Sequence, residues 1–139
     1  MLPVTEAFKN AFEANDFECE VMEGEKGDQV QMLVNSEVFG PRYLVVDFPK
    51  QGGYVSARLP LIEIPKAKGH VAVTTANDLQ RTSHLVHFWA DKRKRVVWAV
   101  ADTLVQEADA VAMTSDVIVH LIQYSGRVYE TFEKAMNPG

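Results

Sequence analysis

Cysteine is nearly absent from this chain of 139 residues, since Cys19 is the only one. A lone thiol cannot form an internal disulfide, which excludes a small secreted domain held together by disulfides. Phe17 and Val21 alternate with Cys19 on the inward face of a strand, so we predict a buried structural thiol and not a nucleophile. The opening MLPVTEAFKN lacks a basic stretch followed by an apolar segment. We therefore expect a cytoplasmic protein.

Long hydrophobic runs and an excess of basic residues are also missing. The longest apolar run, Val96 to Ala101, is far too short to span a bilayer, so no membrane partner is expected. The formal net charge is -5 and the pI is near 5.3. Such a molecule repels phosphate backbones as a whole, and only Lys92 to Arg95 could form a local nucleic-acid patch.

Catalytic and metal-binding motifs are absent as well. The chain has no HExxH, CxxC or Gly-x-Ser-x-Gly pattern and no glycine-rich phosphate loop. His84 and His87 fall on opposite faces of a strand, whereas His70 and His120 belong to different elements. We therefore predict no metal, no cofactor and no enzymatic activity.

What the chain does have is clear periodicity near both ends. Apolar residues from Val4 to Phe12 have helical spacing, with Thr5 as the predicted N-cap. A second helical stripe runs from Thr114 to Met136, with Thr114 or Ser115 as the cap and Pro138-Gly139 as the end. For residues 65–80 we predict a helix that begins at Pro65, although the β-branched residues of this stretch also suit a strand.

Alternating apolar residues between these helices predict six strands. Four come in succession from Phe17 to Ile64, and the glycines at 52–53 form one of the turns between them. Two more strands are predicted over 84–91 and 95–105. The order is helix, four strands, helix, two strands, helix. We predict a single α+β domain over residues 1–139, with two layers and the helices on one face of an antiparallel sheet.

This order, together with three stretches of sequence, resembles the YbjN-like domains of bacteria and the related type III secretion chaperone-like fold. The stretches are RLPLIEIP before the middle helix with Asn77-Asp78-Leu79 at its end, the segment HLVHFWADKRKRVVWAVADTLV, and EADAVAMTSDVIVHLI before the last helix. Gln80 stands where such domains often have a second Asn. The resemblance implies a homodimer or a chaperone-like protein-binding module, and it implies no catalytic residues.

The segment from His84 to Val100 predicts a hairpin with two unlike faces. A turn centred on Arg93-Lys94 places Trp89 opposite Trp98 on one strand pair. One face is small and wholly apolar, as expected beneath helices. The other face is too apolar for plain exposure to solvent, and we predict that it is a partner interface; a bound ligand or a loop of the same chain is the alternative cover. Its residues are Leu85, His87, Trp89, Trp98 and Val100.

Three functions remain open on the sequence alone. The first is a non-enzymatic, chaperone-like protein that binds itself or another protein or peptide segment through the tryptophan face. The second is a small enzyme or ligand-binding protein with a cleft between sheet and helices, using His87 or His120 as an acid or base. The third is nucleic-acid binding through Lys92 to Arg95, but a solvated turn explains these charges more simply.

Overall fold

Nine elements form the fold of the computed structural model, which describes residues 1–83 and 85–138. The helices are α1 (Pro3–Glu13), α2 (Gly69–Gln80) and α3 (Ala110–Met136). The strands are β1 (Cys19–Gly24), β2 (Gly27–Ser36), β3 (Gly40–Pro49), β4 (Tyr54–Glu63), β5 (Val86–Asp91) and β6 (Val96–Leu104). Their order along the chain confirms the predicted sequence of elements.

All six strands join one antiparallel sheet in the order β1-β2-β3-β4-β6-β5. The first four strands follow one another as hairpins. The last hairpin then adds β6 against β4 and leaves β5 at the edge. The predicted α+β class is therefore confirmed, with the helices packed on the sheet.

The core lies between the sheet and the helices and contains four close aromatic side chains. Phe8 of α1 packs edge-to-face on Phe48 of β3, with ring centroids 5.3 Å apart. Phe88 of β5 meets Phe132 of α3 at 5.4 Å in the same geometry. All four rings are buried. The edge-to-face contacts stabilise the packing beyond the burial of apolar area alone. They hold α1 against β3 and α3 against β5.

The three helices begin at other residues than the periodicity predicts. Helix α1 starts at Pro3 with Leu2 as its N-cap, because the buried Thr5 donates its hydroxyl to Asp28 of β2. Helix α3 starts four residues early, at Ala110, and Thr114 bonds back to the Ala110 carbonyl inside it. The predicted caps at Thr5 and at Thr114 or Ser115 are therefore wrong.

Helix α2 confirms the helical interpretation of 65–80 but begins only at Gly69. The Lys68 N–H donates to the Pro65 carbonyl in a turn, and Ala67 has a positive φ of 70°. A left-handed residue cannot continue a helix, so the predicted start at Pro65 is wrong. The predicted end at Gln80 is confirmed.

A β-bulge interrupts the pairing of β4 with β6. The register shifts between Pro60 and Ile62, and the side chains of both Leu61 and Ile62 are buried as a result. The guanidinium of Arg42 on β3 donates two hydrogen bonds to the Leu61 carbonyl, at 3.2 and 3.0 Å. Arg42 thus satisfies a backbone oxygen at the irregular part of the strand.

Candidate protein-binding face

The β5–β6 hairpin has the register that the sequence predicts. Trp89 lies opposite Trp98, Phe88 opposite Ala99, and His87 opposite Val100. Val86 and Phe88 are buried beneath the helices, together with Val97, Ala99 and Ala101. The other side of the sheet faces away from the helices, and we call it the outer face. His84, the first residue of the predicted hairpin, lies outside the described residues.

The predicted interface residues lie on or next to the outer face. The exposed fraction is 58% for both Trp89 and Leu85, which precedes β5. His87 is exposed, whereas Trp98 and Val100 are half-buried. In this chain alone, Trp89 is thus left largely open to solvent. The structure brings all five predicted residues together, and their role as a partner interface stays a prediction.

Trp98 is held in place by its neighbours on the outer face. The Arg58 guanidinium lies over the indole at 5.9 Å from the ring centroid, within reach of a cation–π interaction. Arg58 also pairs with the Asp47 carboxylate. Among the described atoms, the buried Nε1 of Trp98 has no hydrogen-bond partner. The side chain of Trp98 is therefore half-buried and held by its neighbours, whereas the side chain of Trp89 projects into solvent.

The apolar part of the outer face extends further than the sequence predicts. Tyr43 on β3 is 57% exposed and lies opposite Leu33 on β2, which is 51% exposed. Pro60 on β4 lies directly opposite Trp98. Our prediction missed these residues because it considered the tryptophan hairpin alone. The signal was the apolar composition of β3 on both of its faces, with Tyr43 and Val45 alternating with Leu44 and Val46.

The two histidines proposed for a catalytic cleft do not lie between the sheet and the helices. His87 is on the outer face, where its Nε2 atom is 3.4 Å from Oδ2 of Asp102. His120 is exposed on α3. The space between the layers is occupied by the buried hydrophobic core, which includes the four phenylalanines described above. His87 therefore lines only the open concavity between α2 and β5 that is described below, and His120 lies away from it on α3.

Two of the concavities at the margins of the sheet lie next to helices. One of about 570 Å³ lies at the end of the sheet near the N-termini of α1 and α3 and is lined mostly by apolar side chains. Another of about 470 Å³ lies between α2 and β5, with His87 and Trp89 in its wall. Within residues 1–83 and 85–138, no group of three His, Cys, Asp or Glu side chains is placed to hold a metal ion.

Cys19 lies on the core side of β1 but is only partly buried, so the prediction of a buried thiol is too strong. Burial raises the pKa of the Cys19 thiol, and the Glu13 carboxylate raises it further. A raised pKa leaves less reactive thiolate near neutral pH. The environment of Cys19 is therefore that of a structural residue.

Comparisons with known proteins identify the fold. Neither a protein-family model nor a curated protein matches the chain. One chain in the structure of the HopA1–SchA chaperone–effector complex is 12% identical, with a TM-score of 0.58 and 91% of both chains covered. A chain in the crystal structure of the Yersinia pestis type III secretion chaperone SycH in complex with a stable fragment of YscM2 is also 12% identical. Its TM-score is 0.52, with 88% of this chain and 93% of that chain covered.

These similarities confirm the type III secretion chaperone-like fold that the sequence predicts. In the part of the chain that the structure describes, no helix is long and apolar enough to cross a membrane.

Proposed function

We propose that this chain is a non-enzymatic, chaperone-like protein of the cytoplasm that binds other polypeptides and acts as a homodimer through its outer face. The observation that carries the proposal is the exposure of Trp89 at 58% beside the fixed ring of Trp98. Two large aromatic residues on an open sheet are an unusual surface for a monomer, and aromatic side chains commonly dominate protein interfaces. The similar solved structures are described as complexes of chaperones with protein partners, which supports a polypeptide ligand.

We assign a second copy of the chain to the outer face, because its size suits a dimer. Strands of 6 to 10 residues, spaced about 4.8 Å apart, give a six-stranded face of roughly 800 Å². This is about the area that each partner contributes to a stable interface of ordinary size. A two-fold axis that runs across the strands at the level of the tryptophan pair places the six strands of one outer face on those of the other.

Replacement of Trp89 tests the proposal. We expect the wild-type chain to be a dimer, and we expect Trp89→Glu to be a monomer, since a two-fold interface places the two introduced carboxylates close together. Size-exclusion chromatography with light scattering measures the mass, and circular dichroism verifies that the variant is folded.

Val119→Glu is the matched control. Val119 is 49% exposed and lies on α3, in the helical layer and away from the outer face. This variant adds the same charge and removes a similarly exposed apolar side chain, and we expect it to remain a dimer. A monomeric wild type, or equal loss of the dimer in both variants, would contradict the proposed interface.

A further inference from the structure

The fold brings two basic segments of the sequence together at one end of the sheet. One is the loop between β4 and α2, with Lys66 and Lys68, and the other is the β5–β6 turn from Lys92 to Arg95. The Ile64 N–H donates to the Arg95 carbonyl at 2.8 Å. A Cβ atom on Gly69 would lie 3.0 Å from the side chain of Lys92. The two segments therefore form one surface, which we call the basic end.

The basic end is opposite in sign to the rest of the molecule. Residues 63–70 and 91–95 contain six of the fourteen Lys and Arg residues but two of the nineteen Asp and Glu residues, a formal charge of +4. The whole chain has a charge of -5. Such separation of charge creates a local field that attracts anionic groups to one place.

Both carboxylates of the basic end already have partners. Oδ1 of Asp91 accepts the backbone N–H groups of Arg93 and Lys94 at 3.1 Å, and this shapes the turn. The Glu63 carboxylate pairs with Arg95 at 3.3 Å.

The remaining cations of the basic end are available to a ligand. Across the described ranges 1–83 and 85–138, no ion pair is formed by Lys66, Lys68, Lys92, Arg93 or Lys94. The turn residues among them are exposed. These five cations lie on two adjoining segments, so the positive surface is larger than the β5–β6 turn alone would form.

We propose that the basic end binds an acidic segment of a polypeptide partner. The inference rests on the proposed polypeptide-binding function, but it uses residues other than those of the proposed dimer interface.

The surroundings favour a polypeptide over single-stranded nucleic acid. A phosphate backbone that continued along the outer face would meet the carboxylates of Asp47 and Asp102. Successive bases also need successive free rings, and the Trp98 ring is already occupied by Arg58. A short acidic segment needs only the basic end itself.

Isothermal titration calorimetry tests the proposal with a short synthetic peptide of alternating glutamate and leucine. We expect binding that weakens as salt is added, and no binding of the same peptide with glutamine in place of glutamate. Replacement of the turn cations, Lys92→Gln/Arg93→Gln/Lys94→Gln, is expected to weaken binding about tenfold. Lys66→Gln/Lys68→Gln is a second, independent variant that leaves the turn intact, and we expect it to weaken binding severalfold.

A matched control removes three cations elsewhere, as Lys26→Gln/Lys50→Gln/Arg127→Gln, and is expected to bind the peptide like the wild type. Equal weakening in the control and the turn variant would overturn the proposal, as would no binding of the acidic peptide by the wild type. Tighter binding of oligothymidylate or of anionic phospholipid vesicles than of the peptide would also overturn it. None of these results bears on the mass of the Trp89→Glu variant, so the two proposals fail separately.

Discussion

At the scale of single residues, Asp28 has the clearest structural task. It is a buried carboxylate on β2 whose Oδ2 accepts the backbone N–H of Leu2 at 2.7 Å and the hydroxyl of Thr5 at 2.6 Å. The first turn of a helix has N–H groups without partners inside the helix, and an anion near that end is favoured by the helix dipole. Asp28 thus attaches the start of α1 to the sheet.

We expect Asp28→Ala to lower the free energy of unfolding by about 2–3 kcal/mol, because the Leu2 N–H and the buried Thr5 hydroxyl lose their acceptor. Urea denaturation followed by circular dichroism measures the change. Asp116→Ala, at an exposed position of α3, is the control and is expected to change stability by less than about 0.5 kcal/mol. Similar values for the two variants would show that Asp28 does not anchor the helix.

At the scale of elements, the β1–β2 hairpin requires β2 to lie very close to the backbone of β3 at Gly27. Gly27 has a φ of 141°, and a Cβ atom there would lie 2.1 Å from the backbone oxygen of Phe48 on β3. Gly24, which pairs with Gly27 across the hairpin, would place its Cβ at an ordinary 3.4 Å from the nearest oxygen. Only one of these two glycines is therefore required by the packing.

We expect Gly27→Ala to destabilise the protein by about 3 kcal/mol or more, since β2 must move away from β3 and the residue is strained at a positive φ. Gly24→Ala is the matched variant and is expected to cost less than about 1 kcal/mol. Urea unfolding curves of both variants provide the measurement. Equal stabilities would mean that the hairpin adapts to the additional methyl group.

The types and order of the elements could be predicted from the sequence because their periodicity is local. The helix starts could not, because tertiary partners decide them. Thr5 is a good N-cap by residue type, but its buried hydroxyl donates instead to Asp28, which is more than twenty residues away in the sequence. Similarly, Tyr43 lies near the tryptophans on the outer face only because β3, β4, β6 and β5 are neighbours in the sheet. No periodicity in a single segment reveals that order.

At the scale of the whole molecule, the proposed dimer links stability to concentration. Folding and association of a homodimer are coupled, so a higher protein concentration favours the folded state. The chain alone leaves Trp89, Leu85 and Tyr43 largely exposed, and the second copy is expected to cover this area.

We therefore expect the melting temperature of the wild type to rise by roughly 3 °C for each tenfold increase in protein concentration. The Trp89→Glu variant is expected to melt at a temperature that does not depend on concentration. Differential scanning calorimetry over a hundredfold concentration range makes the comparison. A constant melting temperature for the wild type would argue against a dimer coupled to folding.

The position of the two tryptophans has a spectroscopic consequence. The chain has only these two indoles, and both lie on the outer face, whereas the helix-covered core contains phenylalanine and aliphatic side chains. Intrinsic tryptophan emission therefore reports on the environment of one surface of this protein and only indirectly on its core. The exposed indole of Trp89 dominates the response to contact, since the Trp98 ring is already covered by Arg58. The molecule thus contains its own optical probe, placed at the surface where a partner is expected.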